Sequence, residues 1–264
     1  MTIRIFPYKN SPNLRNVRDL AELMSLHPEG TKFKPKGGDT IINWGRSEMP
    51  PEFLQDNIRI LNKPDKVSIA TSKLATLAKL KETGIHVPTF TTDRAQVAEW
   101  LSRNKRVVVR RYDRGSGGRG ATILEGPTPS DNIPQAGLYT LYRPKLHEYR
   151  VHLWRNQETG TLEVLDVQQK RRRRDFPQEN FNASIRCFSN GWVFCRNDIR
   201  CPDSVLDQAI GACNALALDF GACDIGWEVR REVATVYEVN TAPGLVNTTA
   251  LKYAERFAAL KQNR

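Results

Sequence analysis

Asp224, Glu238 and Asn240 lie in the stretch CDIGWEVRREVATVYEVNTAPGL (residues 223–245), whose oxygen-bearing side chains suit a hard divalent cation. Residues 222–229 and 233–240 alternate apolar and polar side chains with a period of two. The charged Arg230-Arg231-Glu232 separates them, and the pattern predicts a β-hairpin. With the turn centred on Arg231, Asp224 falls directly opposite Glu238. Alternation then puts Glu238 and Asn240 on the same face as Asp224, and Cys223, Ile225, Trp227, Val233, Tyr237 and Val239 on the apolar face. Two carboxylates facing each other across a ribbon repel, so the arrangement calls for a positive ion between them or a proton on one. Magnesium fits, because it takes one or two carboxylates and fills its other positions with water and nucleotide phosphates. The competing reading is a solvent-facing hairpin with incidental charges. The turn at Pro243-Gly244, which ends the strand beside the acids, weighs against it.

Asp224, followed after a short hairpin by Glu238-Val-Asn240-Thr-Ala-Pro-Gly-Leu245, resembles the metal-binding signature of the ATP-grasp superfamily. The resemblance is to its carboxylate-amine ligases, such as D-alanine:D-alanine ligases and the ligases that add glutamate to ribosomal proteins. Compact members of this kind occur in bacteria and their viruses. It implies that Asp224, Glu238 and Asn240 hold the Mg2+ that bridges the phosphates of ATP. The likeness runs in consistent order from about residue 63 to the C terminus, and the metal motif is its specific part.

The elements that must position this hairpin can be read upstream of it. Residues 2–6 alternate like a strand, 14–26 carry apolar residues at helical spacing and 40–44 read as a second strand, a small β-α-β unit that ends at Asn62-Lys63-Pro64. The loop GRSEMPPE (residues 45–52) suggests no chemistry. Residues 68–83 predict one helix stopped by Gly84, with Lys73 near its start, and 92–103 predict another. Residues 106–112 form a β-branched strand that runs into Asp113-Arg114-Gly115-Ser116-Gly117-Gly118-Arg119-Gly120 and on into the strand ATIL. Glycines let backbone N–H groups approach phosphate oxygens, and Arg114 and Arg119 add charge, although a mobile surface turn would look the same. With no Gly-Lys-Ser/Thr and no helix following, the loop is neither a P-loop nor a dinucleotide fingerprint.

By the ATP-grasp resemblance, Lys73 reaches the nucleotide phosphates, and Gly115, Ser116, Gly117, Gly118 and Gly120 belong to a phosphate-covering loop. Arg110 stands where the family usually has a lysine, which keeps the charge but changes the donor geometry. GLYTLYRP (residues 137–144), with Tyr142, is placed at the adenine-holding hinge.

Residues 148–153 alternate sharply, with Glu148, Arg150 and His152 on one face and Tyr149, Val151 and Leu153 on the other. The resemblance gives Glu148 the ribose hydroxyls and Arg150 the reaction centre, while His152 reads as a satisfied strand histidine. After LEVLDVQQK comes the run Lys170-Arg171-Arg172-Arg173-Arg174. It could be a solvated cluster, a nucleic-acid contact or the cationic wall of a phosphate and carboxylate site. Related ligases place basic residues near the γ-phosphate or acceptor at this point, which makes Lys170 a catalytic candidate. Arg186 resembles the arginine that stabilises the acyl phosphate. Asp203 is expected to cap a helix over 204–218, and 247–260 form a closing helix.

The formal charge of +11 favours polyanionic partners without choosing among them. No apolar run approaches a membrane span and the amino terminus lacks a signal-peptide core, so a cytoplasmic protein with no membrane partner is expected. Five cysteines without Cys-x-x-Cys spacing read as buried thiols rather than zinc ligands or disulfides.

The expected fold class is α/β, built of α+β subdomains. It would be an ATP-grasp fold with an N-terminal β-α-β unit (1–62), a small subdomain with the glycine loop (63–137) and a C-terminal subdomain with the metal hairpin (138–264). The expected function is ATP-dependent joining of a carboxylate and an amine, of which the sequence identifies neither. An ATP-grasp-like kinase would use the same nucleotide site. A basic nucleic-acid-binding protein is the other alternative, and the absence of aromatic-interleaved basic repeats disfavours it.

Overall fold

The structure, a computed structural model, describes residues 2–8, 14–24, 34–115, 119–145, 147–246 and 248–260. Strands β1 (Ile3–Pro7), β2 (Thr40–Trp44) and β3 (Arg59–Leu61) form a parallel sheet in the order β1-β2-β3, with helix α1 (Leu14–Leu23) as the first crossover. A parallel sheet covered on both faces needs apolar side chains in both directions. Ile3, Ile5, Ile42 and Trp44 enter one cluster with Leu20 and Ala21, whereas Phe6 and Ile41 pack with Phe53 and Ile58 on the other side.

The single helix expected over 68–83 is two helices, α2 (Pro64–Thr71) and α3 (Lys73–Glu82). Ser72 breaks it with extended torsions (φ −87°, ψ 117°), and its Oγ accepts the Ala75 N–H at 3.1 Å as the N-cap of α3. The break places Lys73 at the first turn of its own helix. Both helices pack on β12 of the large sheet described below rather than on the small one.

Strands β4 (Phe90–Thr91), β5 (Val107–Arg110), β6 (Ala121–Leu124) and β7 (Leu138–Leu141) make an antiparallel sheet in the order β4-β7-β5-β6. Helix α4 (Arg94–Ser102) covers it through Val97 and Leu101, and the Asp93 carboxylate caps α4 by accepting the Ala95 N–H at 2.8 Å. Because β7 pairs with β4 and β5, the chain leaves this sheet after Leu141.

The third sheet is antiparallel and five-stranded. It comprises β8 (His147–Arg155), β9 (Leu162–Arg172), β10 (Trp192–Cys195), β11 (Phe220–Glu228) and β12 (Val233–Asn240), in the order β10-β9-β8-β11-β12. Helix α5 (Asp203–Ala215) seals one face through Val205, Ala209 and Ala212 against Tyr149, Val151 and Ile225. Asp203 is its first residue rather than its cap; Pro202 holds the cap position and makes no side-chain bond. Proline suits a helix entry, since its fixed φ is compatible and no N–H is lost there.

Helix α6 (Thr248–Ala259) covers part of the opposite face, where Tyr253 and Phe257 pack against Trp154 and Phe220 and also against Trp44 of the first sheet. On that face of β8, His152 and Trp154 lie beneath α6, while Glu148 and Arg150 remain open to a cleft. One strand thus supplies both core and site.

Asn62 fastens the first sheet to the third. Its φ of 58° is left-handed, a conformation Asn tolerates better than most residues. Its backbone N–H donates to Asp219 Oδ2 at 2.6 Å, its Oδ1 accepts the Asp219 N–H at 2.8 Å, and its Nδ2 donates to the Phe220 carbonyl at 2.9 Å. We expect Asn62→Ala to destabilise the protein by about 2–3 kcal/mol, since it leaves buried backbone groups unpaired. Urea unfolding with no change in midpoint would refute this.

Candidate active site

The hairpin β11/β12 has the expected register at its functional end, with Asp224 opposite Glu238 and Ala222 opposite Asn240. Beyond it, the register shifts between Asp224 and Ile225, and Ile225 pairs with Val236. Tyr237 is the extra residue of a β-bulge, which reverses the alternation before it. Ala234 and Val236 therefore fill the core in place of Val233 and Tyr237. Tyr237 turns into the cleft, where the Lys145 ammonium lies 4.2 Å from its ring centre. Strict alternation cannot foresee this, because the inserted residue has no marker of its own.

The chain itself supplies the positive charge that two facing acids need. Asp224 is held by Arg150 through two bonds, Nε to Oδ1 at 2.7 Å and Nη2 to Oδ2 at 2.8 Å. Burial would lower the Arg150 pKa, but the Asp224 carboxylate outweighs it and raises it. Glu238 Oε1 lies 3.6 Å from the Lys73 Nζ, which also donates to the Gly115 carbonyl at 2.6 Å. Lys73 thereby ties the start of α3, the glycine loop and the acidic face together.

A second ionic cluster adjoins the first. Glu148 is buried between the ammonium groups of Lys145 (2.6 Å) and Lys170. Burial alone would push its carboxyl up, yet the two lysines hold it at about 2. Lys145 is itself shifted down, because burial, Lys170 and Arg186 together exceed what Glu148 returns. Lys170 donates to the Arg186 carbonyl at 2.9 Å, and Arg186 Nη2 donates to the Lys145 carbonyl at 2.7 Å. The Arg186 guanidinium also stacks 4.4 Å from the Trp192 ring centre, an arrangement that fixes its plane. Arg110 is shifted down by burial, partly countered by Glu238, Glu148 and Tyr237.

These clusters line one cleft of about 1150 Å³ between the four- and five-stranded sheets. Lys73, Arg110, Gly115, Tyr142, Glu148, Arg150, Lys170, Arg186, Asp224, Glu238 and Asn240 all border it. Gly120 is not among the lining residues. It has φ of 70° at the base of the loop, where a Cβ would meet the Tyr112 ring at 2.6 Å, so its part is to close the β5/β6 turn. Ser116, Gly117 and Gly118 lie outside the described residues.

Arg143 and Lys145, like Arg46, Ser47 and Glu48 of the loop that suggested no chemistry, also line the cleft. The loop residues reach it because Gly45, with φ of 84° and no room for a Cβ against Ala242 at 2.8 Å, lets the loop lie against the hairpin's end. Among the lining residues eleven are Arg or Lys and four are Asp or Glu, so the cleft is built for an anion.

His152 contributes no chemistry. It is fully buried with Nδ1 3.3 Å from the Tyr253 hydroxyl, and burial, reinforced by Arg150, pushes its pKa down to about 3. The folded protein keeps this ring neutral, whereas the unfolded chain protonates it near 6.5, so its contribution to stability is present above pH 6.5 and is lost as pH falls toward 3. We expect the wild-type unfolding free energy, from urea titrations, to fall more steeply than that of His152→Gln between pH 6.5 and 4.5, by about 1.4 kcal/mol per pH unit at most. Parallel profiles would refute this.

No family model and no curated protein sequence matches the chain. Solved structures do. D-alanyl-alanine synthetase A from Vibrio cholerae O1 biovar eltor matches with a TM-score of 0.71 and 11% identity, over 98% of this chain and 96% of its own. The D-alanine–D-alanine ligase from Bacillus anthracis gives 0.68 and 14% over 98% and 93%. ATP-grasp ligase PsnB, solved with a minimal precursor, gives 0.66 and 15% over 99% of both chains. The chain has the ATP-grasp fold. At these identities the fold is what is shared. PsnB has also been solved with Mg and ADP. Among the described residues, no helix is long and apolar enough to cross a membrane.

The donor set fits a magnesium ion. Asp224, Glu238 and Asn240 present hard oxygens on one face of a rigid ribbon, and the Asn240 side-chain nitrogen is buried without a hydrogen-bond partner. The two ends of an amide are interchangeable in placement, so this is a position at which an amide oxygen would be satisfied by a cation.

Proposed function

We propose that this chain is an ATP-dependent carboxylate-amine ligase that forms an amide bond through an acyl phosphate and releases ADP and phosphate. The observation that carries this reading is the convergence of Asp224, Glu238 and Asn240 with Lys73, Arg110 and Gly115 in one cationic cleft between two sheets. Asp224, Glu238 and Asn240 would hold Mg2+, which supplies positive charge to the β- and γ-phosphates when bound. Lys73, Arg110 and the loop around Gly115 bind phosphate oxygens, and Tyr142 lies beside the base.

Arg150 and Arg186 face the transferred phosphoryl group and the carboxylate that receives it, where negative charge accumulates in line. Each guanidinium is already oriented, Arg150 by Asp224 and Arg186 by Trp192 and the Lys145 carbonyl, so little reorganisation is needed. Glu148, expected at the ribose, pairs with two ammonium groups, and in our reading it aims Lys145 and Lys170 at the phosphates. A ribose hydroxyl would use a lone pair that these lysines leave. The incoming amine then displaces phosphate from the acyl carbon. Exclusion of water from the cleft protects the intermediate from hydrolysis.

The test is ADP release across a panel of amino acids and acidic or basic peptides, with mass analysis of the products. Release that requires both carboxylate and amine and yields a product lighter by one water supports the ligase. A stable phosphorylated product regardless of amine would mean a kinase, and no ADP release with any pair would sink the reading.

A further inference from the structure

The five-stranded sheet has two edges, and the described residues close only one of them. Along β12, Val236 N–H donates to the His86 carbonyl at 2.9 Å, His86 Nδ1 sits 3.0 Å from Thr235 Oγ1, and α2 and α3 pack alongside. Along β10 all four residues stay partly exposed. Arg173 N–H donates to the Gly191 carbonyl, so by antiparallel alternation Val193 and Cys195 direct their backbone groups to β9, and Phe194 directs its N–H and C=O outward. Among the described residues, one backbone bond leaves β10 on the outer side, from Trp192 N–H to the Cys187 carbonyl at 3.1 Å.

This open edge lies within the cleft, since Trp192, Val193 and Phe194 line it. On β9, Arg172 and Arg171 lie opposite Trp192 and Val193, and with Arg173 and Arg174 they are the part of the basic run that the ligase reading leaves unused. The Arg172 guanidinium lies 4.4 Å from the Phe181 ring centre and that of Arg173 5.0 Å from Phe188. Phe188, 69% exposed, is the most exposed large apolar side chain among the described residues, and Val246 (57%) lies on the same cleft. A bare edge strand beside exposed apolar side chains invites pairing with another chain. The nearby acids, Asp175, Glu179 and Asp198, do not cancel the run, and only Asp175 forms an ion pair with it, to Arg173 at 2.8 Å. The cleft also exceeds the range of about 300–1000 Å³ usual for small-molecule sites.

We propose that the carboxylate substrate arrives on an acidic, extended polypeptide segment that adds to β10 as a sixth strand. Backbone pairing with Phe194 sets its register, Phe188 and Val246 take its apolar side chains, and the arginines take its acids. Its fate once bound, phosphorylation of a carboxylate and attack by an amine, rests on the ligase reading above. Nucleic acid fits this surface less well. The Phe181 and Trp192 rings carry guanidinium groups where bases would stack, and a phosphate backbone offers no match to a strand's alternating donors and acceptors.

The test needs no ATP. Labelled ten-residue peptides alternating Glu and Val are titrated with the full chain by fluorescence anisotropy, beside the same peptide N-methylated at alternate residues, a Lys-for-Glu version and an oligothymidylate. The acidic peptide should bind. N-methylation, which blocks strand pairing and leaves charge intact, should weaken it about tenfold or more. Arg172→Glu combined with Arg174→Glu should weaken it similarly while leaving the affinity for MgATP unchanged. Equal binding of the N-methylated peptide, tighter binding of the oligothymidylate, or no binding of the acidic peptide at about 1 mM would each overturn the proposal. ADP release is scored separately, so failure here is distinguishable from failure of the ligase reading.

Discussion

Glu238→Gln is expected to lower substrate-dependent ADP release by about 10²–10³-fold while hardly moving the unfolding midpoint. The asymmetry follows from where Glu238 sits. Its side chain is 28% exposed and its ion pair with Lys73 is long at 3.6 Å, so the pair contributes at most about 1 kcal/mol. In the proposed site the same carboxylate would share the metal with Asp224 and Asn240 on the ribbon, and the amide that replaces it is a weaker ligand without charge. The loss should appear in kcat and in the magnesium concentration needed for half-maximal rate. ADP release unchanged in Glu238→Gln would remove the acidic hairpin from the site.

Glu148→Gln should do the opposite, unfolding the protein more readily by about 3–5 kcal/mol through two buried ammonium groups left without a counter-ion. The pH dependence has a definite sign. The folded pKa of Glu148, about 2, lies below its ordinary 4.5, so its stabilisation is complete above pH 4.5 and is lost as pH falls through 2. That interval corresponds to about 3 kcal/mol, from which the downward shift of Lys145 subtracts. Urea unfolding at pH 7 should show the loss, and Glu148→Leu combined with Lys145→Met should recover much of it. A loss below about 1 kcal/mol for the single substitution would rule out a buried, ionised Glu148.

What could be read beforehand depended on whether a residue's role follows from its neighbours in sequence. The Asp224–Glu238 register did, because a polar alternation and a charged turn fix it within twenty residues. The two faces of β8 were legible for the same reason. Tyr237 was misplaced because a bulge leaves no local trace. The break at Ser72 was missed because an apolar period runs through it, although serine's preference for helix starts was there to be weighed. The cleft wall from Arg46 to Glu48 was invisible because these residues reach the site only once Gly45 lies against Ala242, nearly two hundred positions away. The Arg150 grip on Asp224 also escaped notice, since it is a pairing between strands that only the sheet order β8-β11 brings together.

The cluster of Trp44, Phe220, Tyr253 and Phe257 has a consequence for how the molecule is made. Strands β1 and β2 leave the ribosome well before the aromatic side chains that cover one of their faces, Phe220 of β11 and Tyr253 and Phe257 of α6, which come about two hundred residues later. At synthesis rates of roughly 5–20 residues per second, Trp44 waits some ten to forty seconds for its partners. Through that interval the face of the nascent unit that carries Trp44 stays in water, and losing α6 would uncover the same face in the finished protein.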